Sequence, residues 1–255
     1  SPLRISIGGG GTDLPSFYEH NGTQFSSLAI DKFVYVSVFK RFYKNHLIKY
    51  RITEEVENYK QIKNEIIREI FKQYYPNDSS IEFTTMADVP AGTGLGSSGA
   101  FTVAGLAAVR KMKNLGIDPF TLAKEATKIE MINLERNIGL QDQFASSFGG
   151  FNVFDVEKNG QVTVNNVRLE TNTQEFINSN MQLFFVGTTR DASNILKKDS
   201  KEMKNNLSKF AAIMERGKKI TRLMIEGNMN DLGKEMHEHW MEKRERQKEH
   251  TDSKI

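Results

Sequence analysis

The stretch DVPAGTGLGSSGAFTVAGLAAV, residues 88–109, decides how the chain is read. Glycines stand at 92, 94, 96 and 99, two serines follow the third, and a run of small apolar residues comes after. Glycine costs roughly 0.5–1 kcal/mol of backbone entropy relative to alanine, so such a cluster signals a close approach of backbone to something. A helix is expected over 97–113, ended by Asn114–Gly116. Its first-turn N–H groups lack internal partners and its dipole favours an anion. The alanines and glycines that follow suit close packing on a sheet. Gly94-x-Gly96-x-x-Gly99 formally matches a dinucleotide fingerprint, but Pro90 interrupts the strand that the fingerprint requires. Asp118 stands at the right distance without a buried strand before it. No Gly-Lys-Ser/Thr is present, which excludes the Walker A loop. A plain turn with Ser97 as N-cap is the simpler alternative.

Upstream, Leu3, Ile5 and Ile7 alternate with polar residues and lead into a second glycine run, Gly8–Gly11, then Thr12 and Asp13. Asp13 stands where a dinucleotide loop has its third glycine, and a carboxylate repels pyrophosphate. A short helix is expected over 14–20, strands over 23–30 and 33–42, and a helix through Ile62, Ile66, Ile67, Ile70, Phe71 and Tyr74. IEFTTMA reads as a strand, and a helix is expected to open at Pro119 and run past Glu130. Two strands flank a turn at Lys158–Gly160. From about residue 171 one strand, MQLFFVGTT, precedes long charged helices, so a domain boundary is expected near 170.

With 255 residues, 38% hydrophobic and 26% charged, the chain can build one large or two modest cores. It has no cysteine, which excludes disulfides, thiolate metal sites and cysteine nucleophiles and fits a cytoplasmic setting. No apolar run approaches the roughly 20 residues of a membrane span. The net charge of +3 suits a small anionic substrate; the basic residues near the C-terminus are interleaved with acids, which argues against nucleic acid. His237 and His239 are two apart and lack zinc-pair spacing.

PAGTGLGSSGA resembles the phosphate loop of the GHMP kinases, departing at Gly99, where alanine is usual. PLRISIGGGGTD looks like the first motif of that family. GLQDQFASSFGGFNVFD and FFVGTTRDASNIL are similar to segments of its heptose-phosphate kinases. The resemblance runs from Pro2 to about Lys243. It implies an α+β, two-domain fold: a ribosomal-protein-type α/β domain over 1–170 and a mostly helical, ferredoxin-like domain over 171–255. A third glycine-rich motif implied near the C-terminus is absent before Ile255, so the second domain is expected to be incomplete.

The same resemblance assigns roles. Pro90, Gly92, Gly94, Leu95, Gly96, Ser97, Ser98 and Gly99 would hold ATP, and Ser98 with Glu130 would hold Mg2+. Asp142 would be the general base, with Arg4 its cationic partner. Gly9, Gly10, Gly11, Thr12, Asp13 and Gly149 would contact a sugar, and Arg190 an anionic group on it. Each residue has a plainer role available: Glu130 as a surface acid, Asp142 as cap of a helix starting at Gln143, Asp13 as cap of the helix from Leu14, Arg4 as an ordinary ion pair. Lys40, Arg41 and Lys44 are alternative anion contacts or solvated charges. The implied activity is phosphorylation of the anomeric hydroxyl of a heptose phosphate by ATP, with a homodimer allowed and neither nucleic acid nor membrane as partner. An anomeric kinase for a free sugar and a sensor without turnover are the alternatives.

Overall fold

The computed structural model describes residues 1–77, 80–185, 187 and 207–246. They fall into two compact units. One comprises Ser1–Arg4 and Ala29–Gly149, the other Ile5–Leu28 and Gly150–Ile255. These units are discontinuous in sequence because strands β1 (Pro2–Gly8) and β2 (Thr23–Lys40) each contribute to both. The division expected near 170 treats domains as contiguous stretches and is a different partition of the chain.

In the first unit, β2 pairs antiparallel with β5 (Ile81–Ala87), Val36 opposite Thr85. The strand β3 (His46–Lys49) lies parallel to β5 and antiparallel to β4 (Thr53–Val56). Along β2, Val34, Val36 and Val38 turn inward while Phe33, Tyr35 and Phe39 stay exposed, the period of two that a sheet with one covered face imposes. The covered face meets α2 (Glu65–Tyr74), α3 (Ser97–Met112) and α4 (Pro119–Thr127). Ile66, Ile67, Ile70 and Phe71 recur at helical spacing and are buried with Phe83, Val103, Leu106 and Leu122. Each such side chain contributes about 1.5–3 kcal/mol by leaving water. Gly105 is the small residue that α3 needs there: a methyl group on it would sit 2.9 Å from Ile70 Cδ1 and 3.2 Å from Phe83 Cζ.

The helix expected to continue through Glu130 does not stay α-helical. After Thr127 it widens into a π-helical turn, Lys128–Asn133, closed by Leu134 N–H donating to the Ile129 carbonyl at 3.0 Å. A separate helix, α5 (Gln141–Phe148), follows.

In the second unit, the first half of β2 pairs antiparallel with β6 (Phe151–Val156), and β6 with β7 (Val162–Asn166), the expected hairpin. Its helices among the described residues are α1 (Pro15–Asn21), α6 (Thr171–Asn180), α7 (Leu207–Ile225) and α8 (Met229–Arg246). Ile7, Phe151, Leu169, Ile177, Ile220 and Met224 form its main core. The strand expected over MQLFFVGTT is not formed at residues 181–185 or 187, where Leu183, Phe184 and Phe185 are exposed; among the described residues no strand edge pairs with them. Among those residues no helix is long and apolar enough to cross a membrane.

Candidate active site

The loop before α3 runs through three left-handed glycines, Gly92, Gly94 and Gly96, with φ of 81°, 79° and 75°. That backbone region is strained for any residue with a Cβ, which accounts for glycine at every second position. The N-cap of α3 is Gly96, and no side chain caps the helix. Ser97 is therefore the first helical residue, not the cap its position in the sequence suggested. The amides of Ser97, Ser98 and Gly99 precede the first intrahelical bond, made by Ala100 N–H to the Gly96 carbonyl at 3.0 Å. With no side-chain oxygen competing for these amides, the terminus is suited to an anion. Pro90 is exposed, while Leu95 is buried and anchors the loop.

Arg4 holds the loop in that shape. Its backbone N–H donates to the Leu95 carbonyl at 3.1 Å and its Nη1 to the Gly94 carbonyl at 2.8 Å. Its Nε donates to Asp142 Oδ1 at 2.9 Å, and its Nη2 donates to the same oxygen. One guanidinium thus ties the phosphate-loop backbone to a carboxylate. Among the described residues no donor reaches Asp142 Oδ2, and the side chain is about a third exposed, at 32%. The N-cap of α5 is Leu140, so Asp142 lies inside the first helical turn and is not the cap of a helix beginning at Gln143. Closeness of α3 and α5 brings it there: a methyl group on Gly99 would lie 2.6 Å from Asp142 Cβ.

Glu130 is fully buried, not a surface acid. The π-helical turn carries it beneath the head of α3. Its Oε2 accepts from Ser98 Oγ at 2.5 Å, and its Oε1 accepts from Thr102 Oγ1 at 2.9 Å and Gln143 Nε2 at 3.0 Å. Arg136 donates to both Oε2 (3.4 Å) and Ser98 Oγ (3.2 Å). A buried carboxylate next to an exposed hydroxyl, at an uncapped helix head, is a pair of hard oxygens that fits Mg2+, which binds through one or two protein oxygens plus phosphate and water. Thr102, Gln143 and Arg136 belong to this cluster and escaped the sequence reading. Gln143 adjoins Asp142 in the segment singled out there, but nothing in its position marks it as a partner of Glu130.

The first glycine run lies in the second unit and serves packing more than expected. A methyl on Gly8 would meet the Gly217 carbonyl oxygen at 2.5 Å, and one on Gly9 the Gln24 carbonyl oxygen at 2.4 Å. Of Gly8, Gly9 and Gly11, only Gly11, with φ of 89°, has open space on its Cβ side. Thr12 is fully buried; its hydroxyl bonds to the Gly9 carbonyl at 2.7 Å and to the Thr23 hydroxyl at 2.5 Å. It therefore stabilises the loop from beneath, and the direct contact to a ligand expected of it is not available in this arrangement. Asp13 accepts from Gly11 N–H at 3.1 Å, while the α1 N-cap is Leu14 with no side-chain bond. Gly10 is half-buried between them. Gly149, with φ of 65°, is the C-cap that ends α5. Arg41 is engaged by Asn45 at 2.7 Å and Glu55 at 3.1 Å. Arg190 lies outside the described residues.

An uncapped helix head, a buried carboxylate beside a hydroxyl and a clamped carboxylate are parts that phosphoryl transfer calls for. Residues 59–150 match the family described as "GHMP kinases N terminal domain". The chain is 27% identical to D-glycero-alpha-D-manno-heptose 7-phosphate kinase of Campylobacter jejuni, across 96% of this chain and 76% of that protein. Among solved structures it resembles a D-glycero-D-manno-heptose 1-phosphate kinase from Bacteriodes thetaiotaomicron, with a TM-score of 0.82 and 22% identity over 95% of this chain and 78% of that one. It also resembles Streptococcus pneumoniae phosphomevalonate kinase in complex with phosphomevalonate and AMPPNP, with a TM-score of 0.70 and 10% identity over 92% and 76%. At these identities the two structures speak for the fold. The likeness to GHMP kinases thus spans residues 59–150 in the family match and 96% of the chain in the Campylobacter jejuni relative.

Proposed function

We propose that the chain transfers the γ-phosphoryl group of ATP to the anomeric hydroxyl of D-glycero-D-manno-heptose 7-phosphate, giving the 1,7-bisphosphate. The observation that carries the reaction type is the Arg4 clasp, which joins the Gly94–Leu95 backbone to Asp142. The sugar rests on the Campylobacter jejuni relative, whose name specifies that acceptor.

In this reading the Ser97, Ser98 and Gly99 amides hold the phosphate tail. Bound Mg2+, held by Ser98 and Glu130, would spread the negative charge of the phosphate oxygens. The sugar oxygen attacks the γ-phosphorus, the bond from that phosphorus to the bridging β–γ oxygen breaks, and ADP leaves with its electron pair. The hydroxyl proton passes to Asp142 Oδ2, the oxygen that Arg4 leaves free. Phosphoryl transfer asks the protein mainly for positioning and charge, and Arg4 supplies both. Asp13 accepts hydrogen bonds from sugar hydroxyls on a loop that Thr12 braces, and Arg190 meets the 7-phosphate.

ADP release measured against free and phosphorylated sugars tests this. Turnover is expected with the heptose 7-phosphate, and Asp142→Asn should lower it about 10²–10⁴-fold, the usual worth of a positioned acid or base. Equal turnover with free hexoses would overturn the choice of acceptor. Undiminished turnover in Asp142→Asn would overturn the role of Asp142.

A further inference from the structure

Arg136 has no place in the mechanism above, yet it sits on the two oxygens assigned to the metal. Its Nη1 is 3.2 Å from Ser98 Oγ and 3.4 Å from Glu130 Oε2, and its Nη2 is 3.3 Å from Glu65 Oε2 in the first turn of α2. The backbone is bent to bring it there. The π-helical turn is followed by Glu135 in the left-handed region, φ 50°, after which Arg136 N–H bonds back to the Glu130 carbonyl at 3.0 Å. Such a conformation costs a non-glycine residue energy that the surroundings must offset.

An unpaired carboxylate as deeply buried as Glu130 is costly, so some cation must accompany it. A metal ion at the usual Mg–O distance of about 2.0–2.1 Å would claim the same two oxygens. It would also repel a guanidinium a few ångströms away. The buried Gln143 Oε1, on the side chain that donates to Glu130, accepts no hydrogen bond among the described residues. Metal-bound water is a donor of the kind it lacks. We propose that Arg136 is a resident cation on the Ser98–Glu130 pair that a divalent ion displaces toward Glu65, so that Arg136 sets the metal affinity of the site. This rests on the reading of Ser98 and Glu130 as metal ligands.

Mn2+ binding to the whole chain, followed by the loss of the free-ion electron paramagnetic resonance signal, separates the two claims. Arg136→Gln should bind Mn2+ about tenfold tighter, equivalent to ~1.4 kcal/mol, and should melt at a lower temperature without metal. Arg136→Lys, which keeps the charge, should bind close to wild type. Glu65→Gln, which removes the outer anchor, should bind about twofold to threefold weaker; it carries the test alone if Arg136→Gln does not fold. Unchanged or weaker binding in Arg136→Gln, or unchanged binding in Glu65→Gln, would overturn the role of Arg136. If Glu130→Gln abolishes binding in the same series, the ligand assignment survives that failure. Full Mn2+ affinity in both Ser98→Ala and Glu130→Gln would overturn the ligand assignment, and the proposal with it.

Discussion

A single methyl group at position 99 should separate stability from chemistry. Built on Gly99, it would lie 2.6 Å from Asp142 Cβ, 2.9 Å from the Asp142 carbonyl carbon and 3.0 Å from Gln143 N. Two of these neighbours are backbone of α5 and cannot rotate away. Carbon atoms prefer about 3.5–4.0 Å, so α5 must withdraw from α3 by about 1 Å. The Arg4 Nε–Asp142 Oδ1 bond of 2.9 Å and the Gln143–Glu130 bond of 3.0 Å would both stretch beyond hydrogen-bond range. Overpacking costs about 1–3 kcal/mol, while replacing glycine by alanine in a helix returns roughly 0.5–1 kcal/mol. The net loss is then ~0–2.5 kcal/mol, a fall in Tm of no more than about 10 °C for a chain of this size. A misplacement of ~1 Å at the reacting groups costs about 10²-fold in rate. Gly99→Ala should therefore melt near wild type and turn over about a hundredfold more slowly in an ADP-release assay. Gly105→Ala is the control, since its methyl meets only the side chains of Ile70 and Phe83; it should lose stability and keep its rate. Wild-type turnover in Gly99→Ala would show that α5 gives way without moving Asp142, and the reasoning from that contact would fail.

Arg4→Lys keeps the charge but not the fork that reaches Asp142 Oδ1 and the Gly94 carbonyl together. Turnover should fall at least about a hundredfold, and a rate within threefold of wild type would show that charge alone suffices. Gly217→Ala places a methyl 2.2 Å from Gly9 N and 2.7 Å from its Cα; with backbone on both sides the cost should exceed about 3 kcal/mol, seen as a large drop in Tm or as insoluble protein. Tyr74 donates to Glu125 at 2.5 Å and accepts from Arg110 at 2.9 Å. Burial first, then the bond to Glu125, pushes its pKa up to about 12 from 10.0. A raised pKa in the folded state means its contribution is complete below pH 10 and is lost as the pH climbs from 10 toward 12. Urea denaturation at pH 9 and pH 11.5 should show wild type losing more stability over that interval than Tyr74→Phe; parallel losses would remove Tyr74 as the cause.

The parts of this protein that were legible in its sequence are those where one residue type answers to one local demand. Glycines at 92, 94 and 96 announce left-handed backbone, and the small residues of α3 announce a close approach to the sheet. The β-branched and aromatic residues of β2 announce an extended strand. Contacts between distant segments leave no comparable trace. Gly217 is one glycine in a charged helix, and only the structure shows that Gly8 and Gly9 lie against it. The first glycine run therefore looked like a ligand loop throughout, when its opening half is held for packing. Arg136 was unreadable for a related reason. It follows Glu130 by six residues, a spacing that matches no regular helical contact, and reaches it through a π-helical turn and a left-handed glutamate.

That irregular turn also explains how an ordinary amphipathic helix can carry a buried acid. In a continued α-helix, Glu130 would share a face with residues 126, 127, 133 and 134. Ala126 is fully buried on that helix, and Ile129 is buried too. An uninterrupted helix has to seat Ile129 in the apolar core while presenting its neighbour Glu130 to the polar side of α3, about 100° further round. Widening one turn relaxes that constraint. Ile129 stays with Leu106 and Leu122, while Glu130 reaches Ser98, Thr102 and Gln143. The strain in this segment is thus local to the place where the chain must serve a hydrophobic core and an ionic site with adjacent residues. A substitution that restored regular helix here would be expected to stabilise the peptide segment and empty the site of its carboxylate.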